Sequence, residues 1–352
     1  MTDTILDGIT TSIVDTARLR TQVLERGSAV ARRTVVFIHG NVSSSLFWQP
    51  TMLSLPDDVR ALAIDLRGFG GSQALPVDAT NGLGDYAADV ASVLQELDLG
   101  PVDLVGWSMG GGVVLQLLLD QPQIPVSSLV LVNPVSPYGF GGTDAVGVRL
   151  TLDGAGTGGG CANPDFVTRL AEGDTGTDSP TSPRNVLLGA YVASGHTSEF
   201  EDLWVTSMLT TVTGEDHYPG NSRPSEHWPG FAAGDRGVLN TMSPVHFNVS
   251  GIVGLEAKPP LLWVRGLNDA IVSDASLFDV NHLGVLGVIP DWPGQDLAPA
   301  QPMVSQTRTV LAEYQAAGGL VREVAIPDCG HSPHLEHPEV FREALLAHLA
   351  VA

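Results

Sequence analysis

Ser108 lies in Gly106-Trp107-Ser108-Met109-Gly110, a serine with a glycine two residues away on either side. The preceding Val102-Asp103-Leu104-Val105 is short, apolar and rich in strand formers, and the following Gly111-Gly112 leads into Val113 to Leu119, which reads as a buried helix. A serine at so tight a strand-to-helix turn is a nucleophile elbow. Side chains at the glycine positions would collide with neighbouring elements, and the backbone at the serine itself is strained. The hydroxyl then stands at a helix N-terminus, where the dipole favours a developing negative charge. The chemistry predicted is attack of a serine oxygen on a carbonyl carbon. A free serine hydroxyl is a poor nucleophile near pH 7, so a general base and a group that orients it are required elsewhere in the chain.

The surrounding pattern predicts the scaffold. Ala17 to Glu25 alternates into a turn at Arg26-Gly27-Ser28, and Thr34 to Ile38 follows as a fully buried strand, so two opening strands are expected in 17–38. Arg60 to Asp65 is a further strand. Tyr86 to Leu97 has Val90, Val93, Leu94 and Leu97 at helical spacing, closed by Gly100-Pro101. The elbow strand and helix come next, then a strand at Ser128 to Val132. Strands alternating with helices build a largely parallel, doubly wound α/β sheet covered on both faces.

That rhythm stops near Asn133. From there to Lys258 the chain is rich in Gly, Pro, Ser and Thr, with helical islands at Pro164 to Ala171, Arg184 to Ala193 and Phe200 to Leu209. Trp204, Trp228, Phe231 and Phe247 need burial, so 135–257 reads as a mainly helical cap inserted in the core, not as a disordered linker. Strand pattern returns at Pro260 to Val264. A smaller insertion is expected over 281–302, then a helix at Gln301 to Ala317, a strand at Val321 to Ile326 and a closing helix at Pro338 to Ala350. The core is thus expected in two parts, 1–134 and 258–352. No internal repeat is visible.

Composition narrows the partners. With 39 acidic and 17 basic residues among 352, the net charge is −22, which argues against nucleic acid and anionic membrane. Hydrophobic content of 43% supports a substantial core. Met1 to Asp15 carries Asp3, Asp7 and Asp15 without a basic start or apolar stretch, so a cytoplasmic setting is expected. Cys161 and Cys329 form neither a disulfide framework nor a zinc pattern.

His39-Gly40, the run Asp65-Leu66-Arg67-Gly68-Phe69-Gly70-Gly71-Ser72, the elbow, Gly266-Leu267-Asn268-Asp269 and Gly330-His331-Ser332 together resemble the α/β-hydrolase superfamily, over roughly 17–140 and 258–352. The resemblance implies an eight-stranded, mostly parallel sheet and a triad in the chain order nucleophile, acid, base. Ser108, Asp269 and His331 satisfy that order. Asp274 competes with Asp269 but can equally cap a helix. His334 and His337 compete with His331, and are expected at the start of the closing helix or in solvent. The backbone N–H groups of Asn41 and Met109 are the implied oxyanion donors. Trp107, Trp204 and Met208 are the expected pocket residues; the last two share one helical face, which either lines the cavity above Ser108 or packs against the sheet domain.

The resemblance implies hydrolysis of a carboxylic ester or lactone of a small to medium, mostly apolar molecule, with no metal and no organic cofactor. Asn41 is similar to a residue of haloalkane dehalogenases, but those and epoxide hydrolases need a carboxylate where Ser108 stands. The elbow also resembles that of cofactor-free perhydrolases, whose small caps do not match the long insertion. Carbon–carbon bond hydrolysis with the same triad and a non-enzymatic ligand receptor on the same fold are the other readings. Oligomeric state is not legible.

Overall fold

The computed structural model describes residues 4–351. Its centre is an eight-stranded sheet: β1 (Thr10–Asp15), β2 (Arg20–Arg26), β3 (Arg33–Ile38), β4 (Val59–Ile64), β5 (Val102–Trp107), β6 (Val126–Val132), β7 (Leu261–Gly266) and β8 (Val321–Ile326), in the spatial order β1-β2-β4-β3-β5-β6-β7-β8. Only β2 runs against the rest, pairing antiparallel with both β1 and β4. The central strands carry unbroken apolar runs because helices cover both faces; Val35 to Ile38, Leu129 to Val132 and Leu261 to Val264 are all buried.

The helices α1 (Gly84–Glu96), α2 (Met109–Asp120), α3 (Glu201–Met208), α4 (Met303–Ala316) and α5 (Pro338–Leu349) include the crossovers that make this sheet parallel. α1 links β4 to β5, α2 links β5 to β6, and α4 links β7 to β8; α3 belongs to the insertion between β6 and β7. Among the described residues no helix is long and apolar enough to cross a membrane.

One expectation about the opening strands needs correcting. β1 at Thr10–Asp15 was not foreseen, and β2 begins at Arg20, three residues after the expected start. β1 is an edge strand in which Val14 alone is buried, so it has almost no apolar alternation to read.

Between β6 and β7 the three helical islands appear as Pro164–Glu172, Pro183–Val186 running into a π-turn at Leu187–Tyr191, and α3. Much of the remainder is irregular, with two short ladders at 213–219 and 222–233. The insertion has no core of its own. Phe166, Leu187, Trp204, Met208 and Phe247 belong to the same continuous hydrophobic cluster as the sheet.

Parallel strands end on one edge of a sheet, and loops leaving that edge converge. Ile38 lies opposite Gly106, Trp107 opposite Val132, Val132 opposite Val264 and Gly266 opposite Ile326. The segments carrying His39, Ser108, Asn133, Asp269 and His331 therefore leave the sheet side by side.

Candidate active site

Ser108 has φ +57° and ψ −121°, a conformation that costs about 1–3 kcal/mol and survives only where neighbours over-determine it. Its N–H donates to Val132 O at 2.9 Å, and its carbonyl accepts from Gly111 N at 3.0 Å and Val135 N at 3.1 Å. The flanking glycines are there for room. A Cβ on Gly106 would strike Gly110 O, and one on Gly110 would strike the carbonyls of Ile38 and His39. The Ser108 side chain makes no capping bond to α2, so its hydroxyl is not consumed by the helix it starts.

The segment after β3 passes directly beside it. A Cβ on Gly40 would lie 2.9 Å from Ser108 Cβ. His39 fixes this segment: Leu66 N donates to its Nε2 at 3.0 Å, so Nδ1 carries the proton and donates to Gly40 O at 2.7 Å. Burial holds the imidazole neutral, its pKa pushed down to about 4. Ser43 Oγ also donates to Gly40 O, at 2.9 Å. Asp65 braces the segment's far end by accepting Ser45 N at 2.7 Å and Gly71 N at 2.8 Å. Among the described residues the N–H groups of Asn41 and Met109 donate to no protein acceptor, as an oxyanion site requires.

Asp269 and His331 meet. Asp269 Oδ2 lies 2.8 Å from His331 Nδ1, and both side chains are buried. The other carboxylate oxygen accepts Ile271 N at 2.7 Å and Val272 N at 3.0 Å, which fixes the carboxylate plane. An ionised carboxylate only accepts, so Nδ1 bears the proton and Nε2 keeps its lone pair. Among the described residues no hydrogen bond yet joins Ser108 Oγ to that nitrogen; such bonds commonly tighten only when substrate binds.

Asp274 is occupied elsewhere. It accepts Val304 N at 2.8 Å, Ser305 N at 3.0 Å and the Ser305 hydroxyl, capping the start of α4. His337 lies 3.4 Å from Asp328 O. His334 takes the first of its two expected placements, facing the start of the closing helix, with its ring edge-on to Phe341 at 6.0 Å. It is buried and stacked on Trp48 with ring centroids 4.2 Å apart, because the short helix Pro333–Glu336 turns it inward. Burial and the neighbouring His331 push its pKa well below the ordinary value.

Three further residues hold the loop that carries His331, and sequence reading did not find them in this role. Trp107 Nε1 donates to His331 O at 2.8 Å. Asn133 Nδ2 donates to Gly330 O at 3.0 Å while its Oδ1 accepts Gly266 N at 3.2 Å, tying the segments that carry Asp269 and His331 to the end of β6. Glu336 accepts Gly330 N at 2.9 Å and Ser332 N at 3.2 Å. The available signal was Asn133 itself, a polar residue ending an apolar strand.

The expected pocket residues are found in packing. Trp107 stacks on Phe47 at 5.2 Å, and Phe47 on Trp204 at 6.2 Å. Trp107 and Met208 are 0% exposed and Trp204 2%, so none presents open surface. α3 lies against the turn Ser45–Trp48, with Ser207 Oγ 2.6 Å from Ser44 Oγ. The shared helical face of Trp204 and Met208 is buried against the sheet domain, and the three form a wall behind the site.

The family described as the alpha/beta hydrolase fold matches residues 33–158. The chain is 38% identical over 137 residues to the dihydrolipoyllysine-residue acetyltransferase component of the acetoin cleaving system of Cupriavidus necator, covering 39% of this chain but only 34% of that protein. It is 25% identical over 270 residues to 2-(acetamidomethylene)succinate hydrolase of Mesorhizobium japonicum, covering 77% of this chain and 82% of that one. The fold matches a crystal structure of the esterase RhEst1 from Rhodococcus sp. ECU1013 with a TM-score of 0.61 at 18% identity, over 97% of this chain and 98% of that one. Residues 33–158 therefore match the alpha/beta hydrolase fold family, and the solved structures that share this fold include esterases.

Proposed function

We propose that this chain is a serine hydrolase that cleaves a carboxylic ester or lactone through an acyl-enzyme. The observation that carries the reading is the buried Asp269–His331 hydrogen bond at 2.8 Å, on the sheet edge where Ser108 holds its strained φ of +57°. His331 Nε2 takes the Ser108 proton as Oγ attacks the carbonyl carbon, and Asp269 stabilises the imidazolium that forms. The Asn41 and Met109 N–H groups receive the oxyanion. Collapse expels the alcohol, protonated by His331. Water then attacks the acyl-enzyme with the same imidazole as base, releasing the acid and restoring Ser108.

The substrate is proposed to be small to medium and mostly apolar; Phe47, Trp107 and Trp204 are packed behind the site and back it without presenting surface to the substrate. The kinship with a 2-(acetamidomethylene)succinate hydrolase makes acyl–nitrogen or carbon–carbon cleavage by the same residues the second reading. Stopped-flow hydrolysis of a panel of chromogenic aryl esters, lactones, anilides and β-diketones tests both. A burst of phenol equal to the enzyme concentration, with esters or lactones the best substrates, is expected. Preference for the anilides or diketones would move the assignment to the second reading, and no turnover of any would contradict hydrolysis.

A further inference from the structure

The segment that carries Asn41 is strained. Val42 has φ +46°, a region that β-branched side chains almost never occupy, and it directly follows the proposed oxyanion donor. Such a conformation needs restraint from both sides. The first restraint lies within the core: His39 and Ser43 both donate to Gly40 O, which fixes the Gly40–Asn41 peptide and so the direction of the Asn41 N–H. The second comes from the insertion. Tyr191 Oη lies 2.9 Å from Asn41 O and 3.5 Å from Val42 O. A carbonyl oxygen only accepts, so the phenol donates, and it fixes the Asn41–Val42 peptide.

We infer that Tyr191 is a positioning residue for the hydrolytic reaction: its hydroxyl clamps the strained segment at Asn41–Val42, and the inserted chain thereby completes the oxyanion site. The inference rests on the serine-hydrolase reading above. Without the clamp, Val42 relaxes toward negative φ by rotating the Asn41–Val42 peptide, and that rotation disturbs the aim of the adjoining Asn41 N–H.

Tyr191 is well placed to hold that geometry. It ends the π-turn at Leu187–Tyr191, a local widening that often marks functional sites. Its ring stands edge-on to Trp107 at 5.8 Å and to His331 at 6.1 Å. Two residues on, Ala193 N donates to Glu336 at 2.6 Å, the carboxylate that also receives Gly330 N and Ser332 N. Gly330 has no room for a side chain there, since a Cβ would lie 2.7 Å from Ala193 N. The stretch 191–193 thus grips the oxyanion segment with a side chain and the base loop with its backbone. Burial raises the phenol's pKa, so it stays a donor through the working pH range.

Tyr191→Phe removes the hydroxyl and keeps the ring. On the best ester found, kcat is expected to fall about 10- to 100-fold with KM changed less than about threefold, because the loss is felt where the oxyanion develops. A trifluoromethyl ketone analogue of the same ester, which forms a hemiketal oxyanion on the serine, is expected to bind weaker by the same factor as kcat/KM. The acid limb of the pH–rate profile is expected not to move, as it would if the change acted through His331. Thermal unfolding of the variant in parallel shows that it is folded. Wild-type kcat, or a loss confined to KM with unchanged ketone affinity, would overturn the inference. Ser108→Ala measured alongside separates the two levels. Activity surviving that change sinks the nucleophile reading and the clamp together, whereas its loss alongside wild-type kinetics in Tyr191→Phe sinks the clamp alone.

Discussion

The indole N–H of Trp107 donates to the backbone carbonyl of His331 at 2.8 Å. The residue immediately before the proposed nucleophile therefore holds the backbone of the proposed base, across 224 positions of sequence. Strand β5 delivers the donor and the proposed nucleophile, since Trp107 is its last residue and Ser108 the turn beyond it, while His331 lies in the loop after β8. Trp107→Phe keeps an aromatic wall and removes the bond, leaving a buried carbonyl unpaired at a cost of about 1–3 kcal/mol. Its kcat is expected to fall at least about tenfold through misplacement of the imidazole, with a smaller change in KM. Steady-state kinetics on one aryl ester checks this, and an unchanged kcat would show that His331 is held adequately by Asn133 and Glu336.

The two candidate acids separate cleanly. Asp269→Asn leaves the imidazole in the wrong tautomer and is expected to lower kcat by about 10⁴-fold. Asp274→Asn keeps an oxygen that accepts Val304 N and Ser305 N, and is expected to cost at most about 0.5 kcal/mol of stability with kcat close to wild type. Kinetics and urea unfolding of both variants provide the test; the opposite pattern would make Asp274 the acid.

Buried neutral histidines make the fold acid-sensitive. His39 has its pKa pushed down to about 4 by burial, whereas in the unfolded chain it titrates near its ordinary 6.5. As pH falls through 6.5 the unfolded chain takes up a proton that the native state refuses until about pH 4, so stability is lost across that window. The sign is therefore a stability that rises with pH, by at most about 3 kcal/mol from this residue. His334 acts in the same direction, since burial lowers its pKa as well. Urea unfolding of wild type and His39→Asn at pH 7.5, 5.5 and 4.5 is expected to show a flatter pH dependence in the variant. Parallel curves would mean that the native state takes up a proton at His39 as readily as the unfolded chain does.

Trp204 is packing rather than open lining, and its replacement should behave accordingly. Trp204→Ala is expected to destabilise by about 3–5 kcal/mol and to depress all activities together, leaving the ranking of substrates unchanged. An altered ranking with little loss of stability, read from the ester panel and a thermal melt, would return Trp204 to the pocket.

The elbow was legible because its constraints are local: two glycines, a preceding strand and a following helix fix Ser108 within a dozen residues. The parallel core was legible for the same reason, with β8 found at its observed bounds and α5 within a residue of its expected end. β1 escaped because an exposed edge strand needs no apolar alternation. The support of the base loop escaped for a different reason. Trp107, Asn133 and Glu336 act through bonds to backbone atoms, which leave no pattern in side-chain type. The insertion was foreseen as helical islands, yet its packing against Phe47 and its grip on Asn41 depend on contacts between chain segments about 150 residues apart.

Covalent trapping tests the central claim most directly. Incubation with a fluorophosphonate, followed by proteolysis and mass spectrometry, is expected to place one phosphonyl group on the peptide containing Ser108, in step with loss of esterase activity. Ser108→Ala is expected to take up none and to lose activity by orders of magnitude. Stoichiometric label on another residue, or an active Ser108→Ala enzyme, would contradict the account.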